Sequence, residues 1–215
     1  MKKFAIGLAL LLALGIASAS ASVDTVDWNQ LGPSFTILST PQPFTSAGGI
    51  TGLIGLNDFD PFQLRVQGNG WDGNFFPGET VLWNQDQTGF DDSIVAIFST
   101  GTFGGGAQIQ ADAFGAFVGT LNVYDTSLNL IATVVENGNS TNTGDGSAIF
   151  IGWQSSSANV GALQFLVSDI NGANTVAIGT MSIYTSSAVP EPGTLVMFGS
   201  GIIGLAGIMR RKVNL

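Results

Sequence analysis

Carboxylates are the side chains of this 215-residue chain best suited to acid–base work. Asp58 with Asp60, the adjacent Asp91 and Asp92, and Glu79 are of the type a glycosidase pair uses, two carboxyls roughly 5–10 Å apart across a sugar. On a strand, Asp91 and Asp92 would point to opposite faces, which makes them poor partners. The ordinary place of such acids is a turn on an acidic surface, so no catalytic residue is expected. Calcium is the one cofactor the residue types could serve. Asn57-Asp58-Phe59-Asp60 and the stretch from Asn137 through Asn139 and Asn142 to Asp145 offer oxygen ligands on turn-rich backbone. Neither closes with the Glu of an EF-hand loop, and Asx-turn chemistry explains the same residues.

Four tryptophans, Trp28, Trp71, Trp83 and Trp153, raise a second kind of chemistry, stacking on a sugar. Trp71 lies between Gly68-Asn69-Gly70 and Asp72-Gly73-Asn74, a setting that predicts a loop. An exposed indole beside Asp72 and Asn74 would combine an apolar face with hydrogen bonds, so these three are the candidate saccharide contacts. Packing is the favoured reading even for Trp71, and burial in the core is expected for Trp83 and Trp153, which follow strand-like runs.

Other chemistries are excluded by composition. The chain has no cysteine and no histidine, which removes disulfides, thiolate nucleophiles, Cys/His zinc sites and every His-based triad. Gly104-Gly105-Gly106 is followed by neither a helix nor a Lys, so it is not a phosphate loop. Between Ser22 and Pro190 the sole cation is Arg65, and one cation against fourteen carboxylates leaves a formal charge of −13. Such a surface repels phosphate backbones, and no nucleic-acid partner is expected.

The remaining cations sit at the ends. Lys2 and Lys3, an apolar run from Phe4 to Ile16, and small residues through Ala21 make residues 1–21 a secretory signal, cut after Ala21 or, second, Ala19. Its partners would be the secretion machinery and signal peptidase. At the other end Val189-Pro190-Glu191-Pro192 precedes an apolar run closed by Arg210-Arg211-Lys212. Fifteen helical residues reach roughly 22 Å against a hydrocarbon core of ~30 Å, so a transmembrane helix over 193–209 needs its Pro-Gly start as well. The basic tail 210–212 would stay on the cytoplasmic side and stop transfer.

This order of Val-Pro-Glu-Pro, short Gly-rich span and basic tail resembles the PEP-CTERM sorting domain of Gram-negative bacteria, placed here at 188–215. The resemblance implies that an exosortase recognises Val189, Pro190, Glu191 and Pro192 as a substrate motif and cuts near it. It also implies an exopolysaccharide-producing source and a final place in the cell envelope, on the surface or outside the cell. A plain C-terminal anchor predicts the same topology without cleavage.

The body, 22–187, must fold without long helices. Thirty glycines and 10% charged residues disfavour helix, and short apolar or alternating runs recur between turn residues. Candidate strands are Phe35–Ser39, Ile50–Leu56, Phe62–Gln67, Thr80–Asn84, Ser93–Ser99, Ala107–Ala111, Phe114–Tyr124, Leu128–Val135, Ser147–Gly152, Ala162–Ser168 and Thr175–Tyr184. Alternation is sharpest in Thr120–Tyr124 and Thr180–Tyr184, as for strands with one wet face. Ser93–Phe98 is apolar throughout, which predicts burial on both faces or a place at the centre of a sheet. The expected fold is all-β, a single antiparallel β-sandwich or jelly roll. Phe114 to Asp125 and Gly144 to Gly152 also resemble an ectodomain found ahead of PEP-CTERM signals, which implies a sandwich similar to carbohydrate-binding modules. The expected role is that of an exported structural or adhesive protein in exopolysaccharide. The alternatives are a dedicated carbohydrate-binding module or, less favoured, a carboxylate-based glycoside hydrolase.

Overall fold

The computed structural model describes residues 22–57, 60–84, 93–169 and 175–186. The sorting motif, the basic tail, both signal-cleavage positions, Asp58 and the Asp91-Asp92 pair lie outside the described residues. Residues Ser22–Ser186 form one compact unit.

Fourteen strands are described: β1 Val23–Val26, β2 Ile37–Leu38, β3 Gln42–Thr45, β4 Thr51–Leu56, β5 Phe62–Gln67, β6 Gly70–Trp71 and β7 Thr80–Trp83. They continue with β8 Ile94–Thr102, β9 Gly104–Ala111, β10 Gly115–Asp125, β11 Leu130–Ser140, β12 Ile149–Gln154, β13 Val160–Asp169 and β14 Val176–Tyr184. The first sheet runs β12-β9-β14-β7-β5-β2, with β1 on β14 and β6 on β5. The second runs β11-β10-β13-β8-β4-β3. Pairing is antiparallel except for the short β5–β6 pair. This is the expected β-sandwich.

Alternation of side chains explains why the two sheets close on each other. Phe117, Leu121 and Val123 on β10, and Leu163, Phe165 and Val167 on β13, all point inward and are buried. They meet Ala107, Ile109 and Ala111 of β9 and Met181 and Ile183 of β14 in one core. Trp28, Phe44 and Phe98 extend this core as a chain of edge-on rings, with centroids 6.1 and 6.3 Å apart.

Trp28 also answers a backbone need. The β14 register shifts between Ile178 and Met181, which takes Gly179 and Thr180 out of the ladder. The Trp28 indole N–H donates to the Gly179 carbonyl at 2.7 Å, and Glu79 Oε1 accepts the Thr180 N–H at 2.9 Å. Both freed backbone groups are thereby satisfied.

Several expectations need correcting at their edges. Three strands carry too little apolar pattern to be read in advance: β1, β3 and the two-residue β6. The strand expected over Phe35–Ser39 begins later, because Phe35 sits at φ 70° outside β2 with its side chain exposed. Ser93–Phe98 does lie mid-sheet, between β13 and β4, yet it is not buried on both faces: Ile97 is 41% exposed. Strand β11 runs on to Ser140, so Asn137 and Asn139 are strand residues rather than loop.

Trp28→Phe should cost about 1–3 kcal/mol, the scale for leaving a buried carbonyl without its donor. Urea denaturation monitored by far-UV circular dichroism checks this, and no change in midpoint would show that the bulge is satisfied some other way.

Candidate functional site: a cleft on the outer face of the first sheet

The first sheet has apolar residues on its outer face too, and these need cover of their own. Val81, Ala177 and the half-buried Trp83 are covered by Trp71, Phe75 and Ala148, which form a satellite core separate from the main one. Trp71 packs at 6.0 Å from Trp83 and 6.3 Å from Phe75, measured between ring centroids. It is only 5% exposed, and its Nε1 is buried without a partner. The candidate saccharide contact at Trp71 is therefore corrected in favour of packing: Trp71 is the inside of a lid, and its ring has no face free for a sugar.

Asn74 holds that lid down. It is 3% exposed, so it too is a structural residue and not a surface contact. Its Oδ1 accepts the Thr141 N–H at 2.7 Å and Gln110 Nε2 at 3.1 Å, and its own N–H donates to Gln110 Oε1 at 2.7 Å. Its Nδ2 faces the hydroxyls of Thr141, Thr143 and Ser147 at 2.7, 3.0 and 2.9 Å. One amide thus ties the segment after β6 to β9 and to the β11–β12 connection. Asp72, two residues earlier, is exposed.

The same hydrogen bonds occupy the stretch considered for calcium. Thr141 and Thr143 turn toward Asn74, and Asp145 accepts from the N–H and hydroxyl of Ser147 at 3.0 and 2.5 Å. Chiefly through the Ser147 hydroxyl, then its N–H, the Asp145 carboxyl is held down at about 2. Among the described residues no three His, Cys, Asp or Glu side chains gather as metal ligands. Asp60, from the other stretch, already has a partner.

Beside the lid the outer face drops into an open cleft of about 550 Å³. Its lining includes Phe76, Glu79, Gln108, Phe150, Thr180 and Ser182. Small residues lie beneath the Phe150 ring. Gly106 and Gly152 are register partners on β9 and β12, and the Phe150 ring lies across both. A Cβ at Gly106 would fall 2.8 Å from Phe150 Cζ, and one at Gly152 would fall 2.7 Å from Cε1. Only glycine lets the ring settle there. Phe76, on the lid, lies against Gly146. Glu79 fixes the lid's end, because its Oε2 accepts the Phe76 N–H at 3.2 Å while Oε1 holds the β14 bulge.

Arg65 contributes nothing to this cleft. Its guanidinium is stacked between Phe35 and Trp83, 4.5 and 4.9 Å from the ring centroids. Desolvation lowers its pKa, and the nearby Asp112 charge acts in the opposite direction.

The geometry defines a β-sandwich with a lidded outer face and a mixed aromatic and polar cleft. Comparison with known proteins adds the class. Residues 188–212 match the PEP-CTERM protein-sorting motif, and the chain is an exported, cell-envelope-associated substrate of exosortase processing. Among curated proteins nothing matches. The crystal structure of a DUF4465 family protein from Bacteroides caccae is similar to this chain with a TM-score of 0.46. Identity is 10%, over 77% of this chain and 100% of that one.

Asn74→Ala should destabilise the protein by about 2–4 kcal/mol, since the Thr141 N–H loses its acceptor and Gln110 Nε2 loses one of two, and should open Trp71 to acrylamide quenching. Asp145 gives a pH signature. Its folded pKa is depressed from 3.8 to about 2, so its stabilisation is present above the unfolded value and is lost as pH falls toward 2. Melting temperatures of the wild type and Asp145→Asn should differ above pH about 4 and converge near pH 2.

Proposed function

We propose that this chain is a non-enzymatic surface or matrix protein whose sandwich serves a structural or adhesive role in an extracellular polysaccharide layer. The observation that carries this reading is the sorting motif at 188–212 behind a single sandwich. In the proposed route the signal 1–21 is removed after Ala21 and the body crosses the membrane. Residues 193–209 then hold in the bilayer against Arg210, Arg211 and Lys212 until exosortase cuts near Pro190-Glu191-Pro192.

The way the carboxylates are used supports a non-catalytic role. Asp24 accepts from the Ser46 hydroxyl and the Gly48 N–H, Asp27 from the Asn29 N–H, and Asp125 from Ser127 and Asn129. Glu79, the described member of the candidate acid set with the best placement, is spent on the N–H groups of Phe76 and Thr180. A general acid must present a free carboxyl oxygen to a leaving group, and both oxygens of Glu79 are already engaged by backbone N–H groups.

The test is intact-mass analysis of protein recovered from the envelope, the polysaccharide fraction and the medium of the source bacterium. The expected species lacks both the signal and the tail and co-fractionates with polysaccharide. A variant lacking 188–212 should lose that fractionation. Full-length chain in the soluble cell interior would contradict the reading.

A further inference from the structure

Resting on that polysaccharide-associated reading, we propose that the outer-face cleft is a saccharide-binding site for a neutral pyranose polymer. Phe150 is its stacking platform, and Gln108, Thr180 and Ser182 are its hydrogen-bonding edge.

Phe150 is 48% exposed on a strand of a folded sheet, with its ring supported from beneath by glycine backbone. A large apolar ring so fixed offers a flat surface at little entropic cost, which suits the C–H face of a sugar. Phe76 is 58% exposed on the lid and supplies an apolar wall to the same cleft. Two exposed rings facing a common hollow are better explained by a ligand than either ring alone.

The polar groups between them keep hydrogen-bonding capacity to spare. Gln108 Nε2 is taken by the Gly146 and Ala148 carbonyls, both at 2.9 Å, and its Oε1 makes no hydrogen bond among the described residues. The hydroxyls of Thr180 and Ser182, both half-buried, make no hydrogen bond among the described residues either. Thr180 reaches the cleft because the β14 bulge turns it outward beside Ser182. One acceptor and two hydroxyls, each of which donates and accepts, complement the vicinal hydroxyls of a hexose. The volume of about 550 Å³ lies in the range of roughly 300–1,000 Å³ typical of small-ligand sites, so one or two sugar units fit.

Charge selects among sugars. Asp27 and Glu79 line the cleft, and Arg65 is stacked elsewhere. With no cation at hand, a uronate or a phosphorylated glycan meets repulsion with nothing to offset it. Both carboxylates already accept from protein N–H groups, so a neutral polymer is favoured over a cationic one.

Affinity electrophoresis of the exported protein tests this, through gels containing laminarin, hydroxyethylcellulose, dextran, polygalacturonate or glycol chitosan. At least one of the three neutral polymers should retard it, with no change on adding salt. Phe150→Ala should weaken that retardation about tenfold, and Ser182→Ala or Thr180→Val by several-fold. Gly152→Ala tests the same site without deleting the ring, since its Cβ displaces the Phe150 ring that rests on it; it should weaken binding while circular dichroism stays native. Retardation by polygalacturonate or glycol chitosan alone, by no polymer, or undiminished in the Phe150 and Gly152 variants would overturn the site. In that event, continued co-fractionation of the protein with polysaccharide would leave the display role standing.

Discussion

A β-sandwich buries one face of each sheet for nothing more than the approach of the other, but it leaves two outer faces to be managed. Here the first sheet places Val81, Ala177 and Trp83 on its outside, where water would meet them. The segment after β6 covers them with Trp71 and Phe75, and a buried side-chain amide keeps it there. Asn74 can do this because its two ends are matched to fixed groups: a backbone N–H and Gln110 on the oxygen side, three hydroxyls on the nitrogen side. In a low-dielectric setting such a network is strong when every member is paired and costly when one is lost. The cleft lies beside this cover, with Gln108 of β9 and Phe150 of β12 in its lining.

The second dependency is the bulge in β14. A shift in register there frees a carbonyl and an N–H in a strand that is hydrogen-bonded on both sides. Trp28 reaches the carbonyl from the 3-10 turn Trp28–Leu31, and Glu79 reaches the N–H from the lid. Glu79 therefore joins the lid to the sheet, and the same bulge presents Thr180 to the cleft. β14 also pairs with β1, with Val23 opposite Tyr184, and the Thr185 N–H donates to the Ser22 carbonyl at 2.9 Å. The two ends of the body thus leave the sandwich side by side, from a strand stitched into the middle of a sheet.

Much of this fold was legible because period-two alternation is a local signal. Phe62–Gln67 reads as a strand and is one, and Thr180–Tyr184 alternates as its faces require. The short strands β1 and β3 were not legible, since Val23–Val26 and Gln42–Thr45 hold too few apolar residues to outweigh their turn-forming neighbours. Trp71 shows the limit of reading a loop from glycine and asparagine. Those residues do form irregular backbone, but whether an indole on it faces water or the sheet depends on Val81 and on Ala177, which is distant in sequence. Asn74 and Glu79 have the polar chemistry their residue types promise, but both perform it inward, on backbone and side-chain partners. Phe150 carried no distinguishing mark. Its one signal is the pairing of Gly152 with Gly106, which only the register brings together.

The most direct test of this account is amide hydrogen exchange at Asn74 and Thr141 in the native protein. Both N–H groups donate inside the clamp, to Gln110 Oε1 and Asn74 Oδ1. They should exchange as slowly as the β9 and β14 core amides, through opening of the whole sandwich. Exchange at the rate of the exposed Asp72 amide, with the core still protected, would mean that the lid is loose and that no fixed cleft stands beside it.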